Sequence, residues 1–266
     1  MIQPPLIDDI QRIGMVGSAF AKKGKPVVLV PLGEGVHAGH INLVRAARRI
    51  RGGIVVVALS STDEQDAQAL IEENVDFIWQ YTTDDLFPRG QRTQVVPDDF
   101  GMETDLAAPL TQLVAMLGAV RPSDIVVGEK DYELLIALQQ AVVDLHLGVR
   151  VQGVPTVRTP EGVAMSLRNT HVPTDAREAA SALSAALTAG AYAAEEGAEK
   201  VLETARAVLD AAGVEPEYLE LRGRDLGEAP EEGDARLLVA ATFGDVRLID
   251  NAGLPLGIGF RNIDGS

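Results

Sequence analysis

Two continuous runs of apolar, largely β-branched residues constrain this chain most: 26–30 (PVVLV) and 54–59 (IVVVAL). Runs without polar alternation belong to strands buried on both faces, as in parallel sheets covered by helices. Between them a glycine-rich turn, 31–35, leads into a stretch with helical spacing over 39–50. Ile41, Val44 and Ala47 mark the apolar side of that helix, and Arg48 and Arg49 lie near its C-terminal end, where cations are favoured. Strand, helix and strand in this order imply a right-handed βαβ unit.

The alternation continues. Helices are expected over 63–73, 104–117 and 132–145, and strands over 75–79, 125–127 and 149–154. This pattern specifies an α/β fold, a Rossmann-like doubly wound parallel sheet, assigned to a nucleotide-binding domain over 1–158. The character then changes. Residues 174–212 are alanine-rich and helical, with breaks expected near Gly190 and Gly197. Short antiparallel strands follow at 217–222, 235–243 and 246–250, giving a smaller C-terminal α+β lid domain over 159–266.

Composition narrows the functional classes. With 266 residues, 46% of them hydrophobic, the chain can bury a sizeable core. No apolar run reaches the length of about 18 residues that a membrane span needs. Residues 1–9 lack a basic region followed by an apolar block, so no signal peptide is expected. The absence of cysteine excludes disulfides and thiolate-bound metals and fits the cytoplasm. A formal charge of −16 argues against a nucleic-acid surface, which needs clustered Lys and Arg. It leaves room for a locally positive nucleotide pocket.

Three short motifs carry the chemistry. His37-Ala38-Gly39-His40 follows the first buried strand and opens a helix, where free backbone N–H groups favour anions. Two imidazoles at this spacing suit donation to phosphate oxygens as charge builds, and Gly39 permits close backbone approach. The alternative is a pair of capping or surface histidines. Gly128-Glu129-Lys130-Asp131 ends another strand and offers an ammonium for a phosphate, with Asp131 placed for a ribose hydroxyl or for positioning Lys130. The alternative is a charged surface turn. Met165-Ser166-Leu167-Arg168-Asn169 follows a turn at Pro160-Glu161-Gly162. Ser166 and Arg168 suit the β- and γ-phosphates or leaving pyrophosphate, unless this is an ordinary interdomain loop. No metal ligand set is expected, since no Cys or carboxylate cluster completes the histidine pair.

These motifs together resemble the pantothenate synthetase (pantoate–β-alanine ligase) family, within the HxGH nucleotidylyl-transferase superfamily. That family carries Pro-Thr-Met-Gly…His-x-Gly-His…Leu-Val, then Gly-Glu-Lys-Asp, then Met-Ser-Ser-Arg-Asn. Here stand Pro31, His37, Gly39, His40, Leu43 and Val44, the full second motif, and 153–158 (GVPTVR) ahead of Met165 to Asn169. The C-terminal runs 218–221 (YLEL), 236–241 (RLLVAA) and Asp250-Asn251 match as well. The resemblance implies an AMP-forming ligase that condenses pantoate with β-alanine through an acyl adenylate, using ATP and Mg2+. It implies catalytic roles for His37, His40, Lys130 and Arg168. Nucleotide contacts would come from Gly39, Gly128, Lys130, Asp131, Val157, Met165, Ser166 and Arg168. It further implies ATP and a small carboxylic acid as partners, neither nucleic acid nor membrane, and a homodimer joined through the nucleotide domains.

The departures from the family are concentrated on one substrate. The family's Phe-Val-Asn-Pro-x-Gln-Phe segment, whose Gln binds pantoate, is replaced by Ser60-Ser61-Thr62-Asp63. Leu134 stands where a second pantoate-binding Gln is expected. The His-Phe-x-Gly-Val stretch becomes 105–109 (DLAAP), Thr-Met-Gly becomes Leu32-Gly33-Glu34, and one serine of the third motif is Leu167. The groups that face ATP remain, whereas the amides that face pantoate are gone. Each lost bond to a buried partner is worth about 1–3 kcal/mol, so pantoate binding should weaken by orders of magnitude. Glu34 would further oppose an anion. Three readings follow: the inherited ligase with a depleted pantoate pocket, a ligase for a different carboxylate, or an inactive nucleotide-binding paralogue. Whether Asp63, Glu64 or Asp66 replaces the lost loop is open at the level of sequence.

Overall fold

The computed structural model describes residues 3–102, 104–160 and 162–258. Glu161 of the turn before the third motif lies outside the described residues, as do both chain ends. The chain forms two compact units, Met1–Asp99 with Glu103–Val157, and Phe100–Met102 with Arg158–Ser266.

The first unit runs β1 (Leu6–Ile7), α1 (Ile10–Lys22), β2 (Val27–Pro31), α2 (Ala38–Arg48), β3 (Ile54–Leu59), α3 (Glu64–Glu72) and β4 (Phe77–Gln80). It continues through α4 (Thr83–Leu86), α5 (Ala107–Val120), β5 (Asp124–Gly128), α6 (Tyr132–Asp144) and β6 (Arg150–Val154). All six strands are parallel, in the order β1-β4-β3-β2-β5-β6. The two apolar runs pair along their length, from Val27 opposite Ile54 to Pro31 opposite Ala58. Every residue of β3 is buried. On one face Val28, Val30, Val55 and Val57 pack with Leu43 and Val44 of α2 and Leu70 of α3. Each such side chain contributes about 1.5–3 kcal/mol by leaving water.

Helix α1 and strand β1 have no counterpart in the sequence reading. Asp9 caps α1 by accepting from Arg12 N at 2.6 Å. Gly14 and Gly17 weaken its intrinsic helical signal. Gly17 is there for packing, because a Cβ at this position would lie 1.9 Å from the Val120 carbonyl oxygen of α5. Helix α5 starts and ends three residues later than expected, at Ala107 and Val120. The Asp105 carboxylate accepts from Ala107 N at 3.0 Å, and Pro109 sits in the first turn, where its missing N–H is harmless. Strand β4 begins at Phe77, two residues later than expected, because Asp76 turns its carboxylate to Val55 N at 2.8 Å.

In the second unit, α7 (Arg177–Tyr192) and α8 (Ala198–Ala211) pack on an antiparallel sheet of β7 (Tyr218–Gly223), β8 (Gly233–Phe243) and β9 (Val246–Leu256). Strand β9 runs six residues beyond the expected end, paired with β8 as far as Leu256 opposite Gly233. The helix break expected near Gly190 falls two residues later, where α7 ends at Tyr192. A Cβ on Gly190 would meet Leu237 Cδ2 at 2.7 Å and Val201 O at 3.1 Å, so this glycine brings helices together rather than ending one. At Gly197, by contrast, the chain turns with φ 98 between a short 3-10 turn and α8.

The strand order fixes where a ligand fits. Strand β2 has β3 on one side and β5 on the other, so the connections leave in opposite directions at this point. Such a switch point opens a crevice beyond the carboxyl ends of the strands. The first motif follows β2 and the second ends β5.

Candidate functional site

His37 is the N-cap of α2, with an extended backbone (φ −131, ψ 173) and Nδ1 accepting from Gly39 N at 3.0 Å. The capping alternative therefore describes its geometry correctly, and the cap has a chemical consequence. An Nδ1 that accepts carries no proton, so the neutral ring has its proton on Nε2. Gly39 is required by this arrangement, because a Cβ there would lie 2.7 Å from His37 Cε1.

His40, one turn into the helix, has the opposite tautomer. Its Nδ1 lies 3.1 Å from the Gly35 carbonyl oxygen, which can only accept. The neutral ring thus keeps a lone pair on Nε2. Gly35 makes the turn possible with φ 75, a left-handed conformation that glycine adopts without strain. The two rings stack with centroids 3.8 Å apart and planes at 25°. Burial lowers the His37 pKa, and the Lys130 charge lowers it further. Burial lowers His40 to about 4, with His37 adding to the effect and the Gly35 carbonyl and Asp66 opposing it. Both rings are neutral at pH 7.

The second motif lies beside the first. A Cβ on Gly128 would meet Leu43 Cδ2 of α2 at 3.9 Å. The turn is held to β6 by Glu129 N donating to Val154 O at 2.8 Å. Lys130 is largely buried, and its Nζ lies 3.8 Å from Asp131 Oδ1, an ion pair longer than a hydrogen bond. Asp131 caps α6 without a side-chain hydrogen bond to the helix. The ammonium and the two imidazoles therefore occupy one electrostatic neighbourhood at the switch point. Leu134 is half-buried on α6, and Glu34 is exposed.

The third motif belongs to the second unit. Ser166 caps a short 3-10 helix, Leu167–His171, by accepting from Arg168 N at 3.2 Å. Asn169 Nδ2 donates to Ala164 O at 2.8 Å, fixing the turn to a small hairpin in which Arg158 and Ala164 pair. Arg158 anchors that hairpin, donating from Nη1 and Nη2 to the Asp250 carboxylate at 2.7 and 2.9 Å and to Asn251 O at 3.0 Å. Sequence reasoning noted Arg158 and Asp250 without joining them, since 92 residues separate the pair. Val157 closes the first unit, and Met165 precedes the Ser166 cap.

The segment after β3 is tied at several points by hydrogen bonds. Asp63 caps α3 by accepting from Gln65 N at 2.8 Å, and Ser61 O accepts from Gln80 Nε2 at 3.0 Å. Tyr81, only 3% exposed, accepts from Gln112 Nε2 at 2.9 Å and hydrogen-bonds Ser60. Burial raises the Tyr81 pKa. A tyrosine just beyond a strand with no apolar periodicity gave no signal of this group in the sequence. Asp66 holds a place that the sequence did not indicate: its Oδ1 accepts from Val36 N at 2.7 Å, joining α3 to the turn before His37. Among the described residues no helix is long and apolar enough to cross a membrane, and no cluster of three or more His, Asp or Glu residues is placed to hold a metal ion.

The arrangement has known relatives. The family model described as pantoate–beta-alanine ligase matches residues 58–253. The chain is 41% identical to pantothenate synthetase of Corynebacterium jeikeium (strain K411), with 98% of this chain and 94% of that protein covered. It is 43% identical to pantothenate synthetase of Mycobacterium avium (strain 104), covering 89% of this chain and 84% of that one. Among solved structures, pantothenate synthetase from Thermus thermophilus superposes with a TM-score of 0.82 at 26% identity, over 93% of this chain and 98% of that one. The family model extends over most of the chain, and the identity to curated relatives is sustained along nearly all of it; the chain belongs to the pantoate–β-alanine ligase family.

Proposed function

We propose that this chain is an ATP-dependent ligase that joins pantoate to β-alanine through an acyl adenylate. The observation that carries the reading is the stacked His37–His40 pair beside Lys130 at the switch point of a parallel sheet. In the first step the acid's carboxylate oxygen attacks the α-phosphorus of ATP, and the bond to the bridging oxygen breaks to release pyrophosphate. In the second step the amine attacks the acyl carbon, loses a proton and expels AMP. Both steps need stabilisation of charge on phosphate oxygens, and preorganised donors in a partly dry site supply it.

The tautomers assign distinct tasks. His37 donates its Nε2 proton to a phosphate oxygen while neutral. Neutral His40 presents a lone pair at Nε2 and becomes a donor there only as an imidazolium. Lys130 supplies a fixed positive charge to the phosphates, and Asp131 takes the ribose. Backbone at Gly39 and Gly128 admits the nucleotide. The second unit contributes Ser166 and Arg168 as further phosphate-binding groups, with Val157 and Met165 completing the nucleotide contacts. In this reading Mg2+ arrives with the triphosphate as part of the substrate, and the protein works as a homodimer in the cytoplasm.

A second reading, adenylation of a different carboxylate, is favoured by the buried Tyr81 and its hydrogen bonds to half-buried Ser60 and Gln112. It stands next to a segment that offers no amide side chain between Ser60 and Asp63. Titration calorimetry of Lys130→Ala tests the nucleotide site common to both readings. Loss of a charge-assisted phosphate contact should weaken ATP binding by at least tenfold. Unchanged affinity would remove Lys130 from the site.

A further inference from the structure

The first-motif turn is glycine-rich and would be loose on its own, so what fixes it matters. Its start is tied to β3 through Leu32 N and Ala58 O at 2.7 Å, and its end to α2 through His40 Nδ1 and Gly35 O. Between these ties the Val36 amide points to the Asp66 carboxylate, 30 residues away on α3, at 2.7 Å. This is the short distance of a charge-assisted bond. Val36 immediately precedes the His37 cap, so the bond sets where the imidazole pair begins.

We propose that Asp66 is a positioning residue for the imidazole pair, holding the Val36 amide in place and setting a negative charge toward the His40 ring. The inference rests on the reading of His37 and His40 as the groups that meet ATP. Two neutral rings 3.8 Å apart can share only one extra proton at moderate pH. His37 is a poor place for it, because its Nδ1 already accepts from Gly39 N and Lys130 lies near. His40 has its pKa held down to about 4, so the groups that offset this lowering matter. Its Nδ1 proton is held by the Gly35 carbonyl, and the Asp66 charge favours the imidazolium against burial and the His37 ring. With the proton there, both Nε2 atoms become donors, His37 in its neutral form and His40 in its charged form. Asp66 thus eases protonation of His40 as negative charge gathers on the phosphates.

Three variants separate the two tasks. Asp66→Asn keeps an acceptor oxygen and removes the charge. Asp66→Ala removes both, and Asp66→Glu keeps the charge on a longer arm. The readouts on the free full-length protein are NMR titration of the His40 ring protons and hydrogen exchange of the Val36 amide. Asp66→Asn should lower the pH at which His40 protonates and leave Val36 protected. Asp66→Ala should lower it as well and speed Val36 exchange at least tenfold, while Asp66→Glu restores the His40 titration. Unaltered His40 titration in Asp66→Asn would overturn the electrostatic role, and unaltered Val36 exchange in Asp66→Ala would overturn the tether. Neither readout uses ATP, so both stand if the chain fails to bind nucleotide. Where ATP is turned over, Asp66→Asn should reduce kcat for pyrophosphate release with little change in KM for ATP.

Discussion

His37 and His40 look equivalent in the sequence and are opposites in the structure. One accepts at Nδ1 from an amide, and the other donates at Nδ1 to a carbonyl. The His-x-Gly-His spacing made the pair legible, and the place of Gly39 follows from the 2.7 Å approach a Cβ would make to the ring. The tautomers were not legible, because they depend on the left-handed turn at Gly35 and on the cap at His37. A measurable consequence belongs to His40. Its ring takes a proton near pH 6.5 when exposed in the unfolded chain but only near about 4 in the folded one. Between these values the unfolded chain binds more protons, so stability rises with pH across the window and is lost as pH falls through it. The component is at most about 3 kcal/mol. His40→Asn preserves a donor for Gly35 O and cannot titrate. Denaturant unfolding between pH 4 and 6.5 should therefore show a shallower pH dependence for the variant than for the parent, and identical slopes would refute the assignment.

At the scale of elements, the buried strands and the helices between them were readable from continuous apolar runs and helical spacing. Some of the misses have one cause: glycine reads as a breaker when its task is close packing. Helix α1 went unseen with Gly14 and Gly17 inside it, and the break expected near Gly190 comes only after Tyr192. The contrast between Gly17 and Gly118, on adjacent packed helices, tests this. A Cβ on Gly17 would overlap the Val120 carbonyl at 1.9 Å, whereas a Cβ on Gly118 meets nothing within 4 Å. Gly17→Ala should destabilise the protein by about 2 kcal/mol, the scale of overpacking. Gly118→Ala should stabilise it by up to about 1 kcal/mol through helix propensity. Thermal unfolding of both variants measures the difference, and equal shifts would contradict the packing account. The short connection Ser60 to Asp63 illustrates a further limit. Its polar residues were visible, but the Tyr81–Gln112 bond was not, since nothing local pairs residues 31 apart.

For the whole molecule, alternation of strand and helix implied a parallel sheet, yet it could not say that β2 and β5 are neighbours. That adjacency turns two separate motifs into one site, and it arises only when β5 pairs with β2 at Val28 and Leu29. It also gathers polar and cationic groups at one place in a chain with a formal charge of −16. Lys130 and two imidazoles converge there with one helix N-terminus. The third motif and its Arg158–Asp250 anchor lie in the other unit. The central claim is an acid–amine ligase that retains its ATP-facing groups and has an altered acid pocket. It is tested most directly by pyrophosphate release from ATP and Mg2+ with pantoate, with and without β-alanine. The account predicts release that requires pantoate, saturates only at high pantoate concentration, and becomes multiple-turnover with amide product when β-alanine is added. ATP binding without release at any pantoate concentration would contradict it and assign the site to another carboxylate or to nucleotide binding alone.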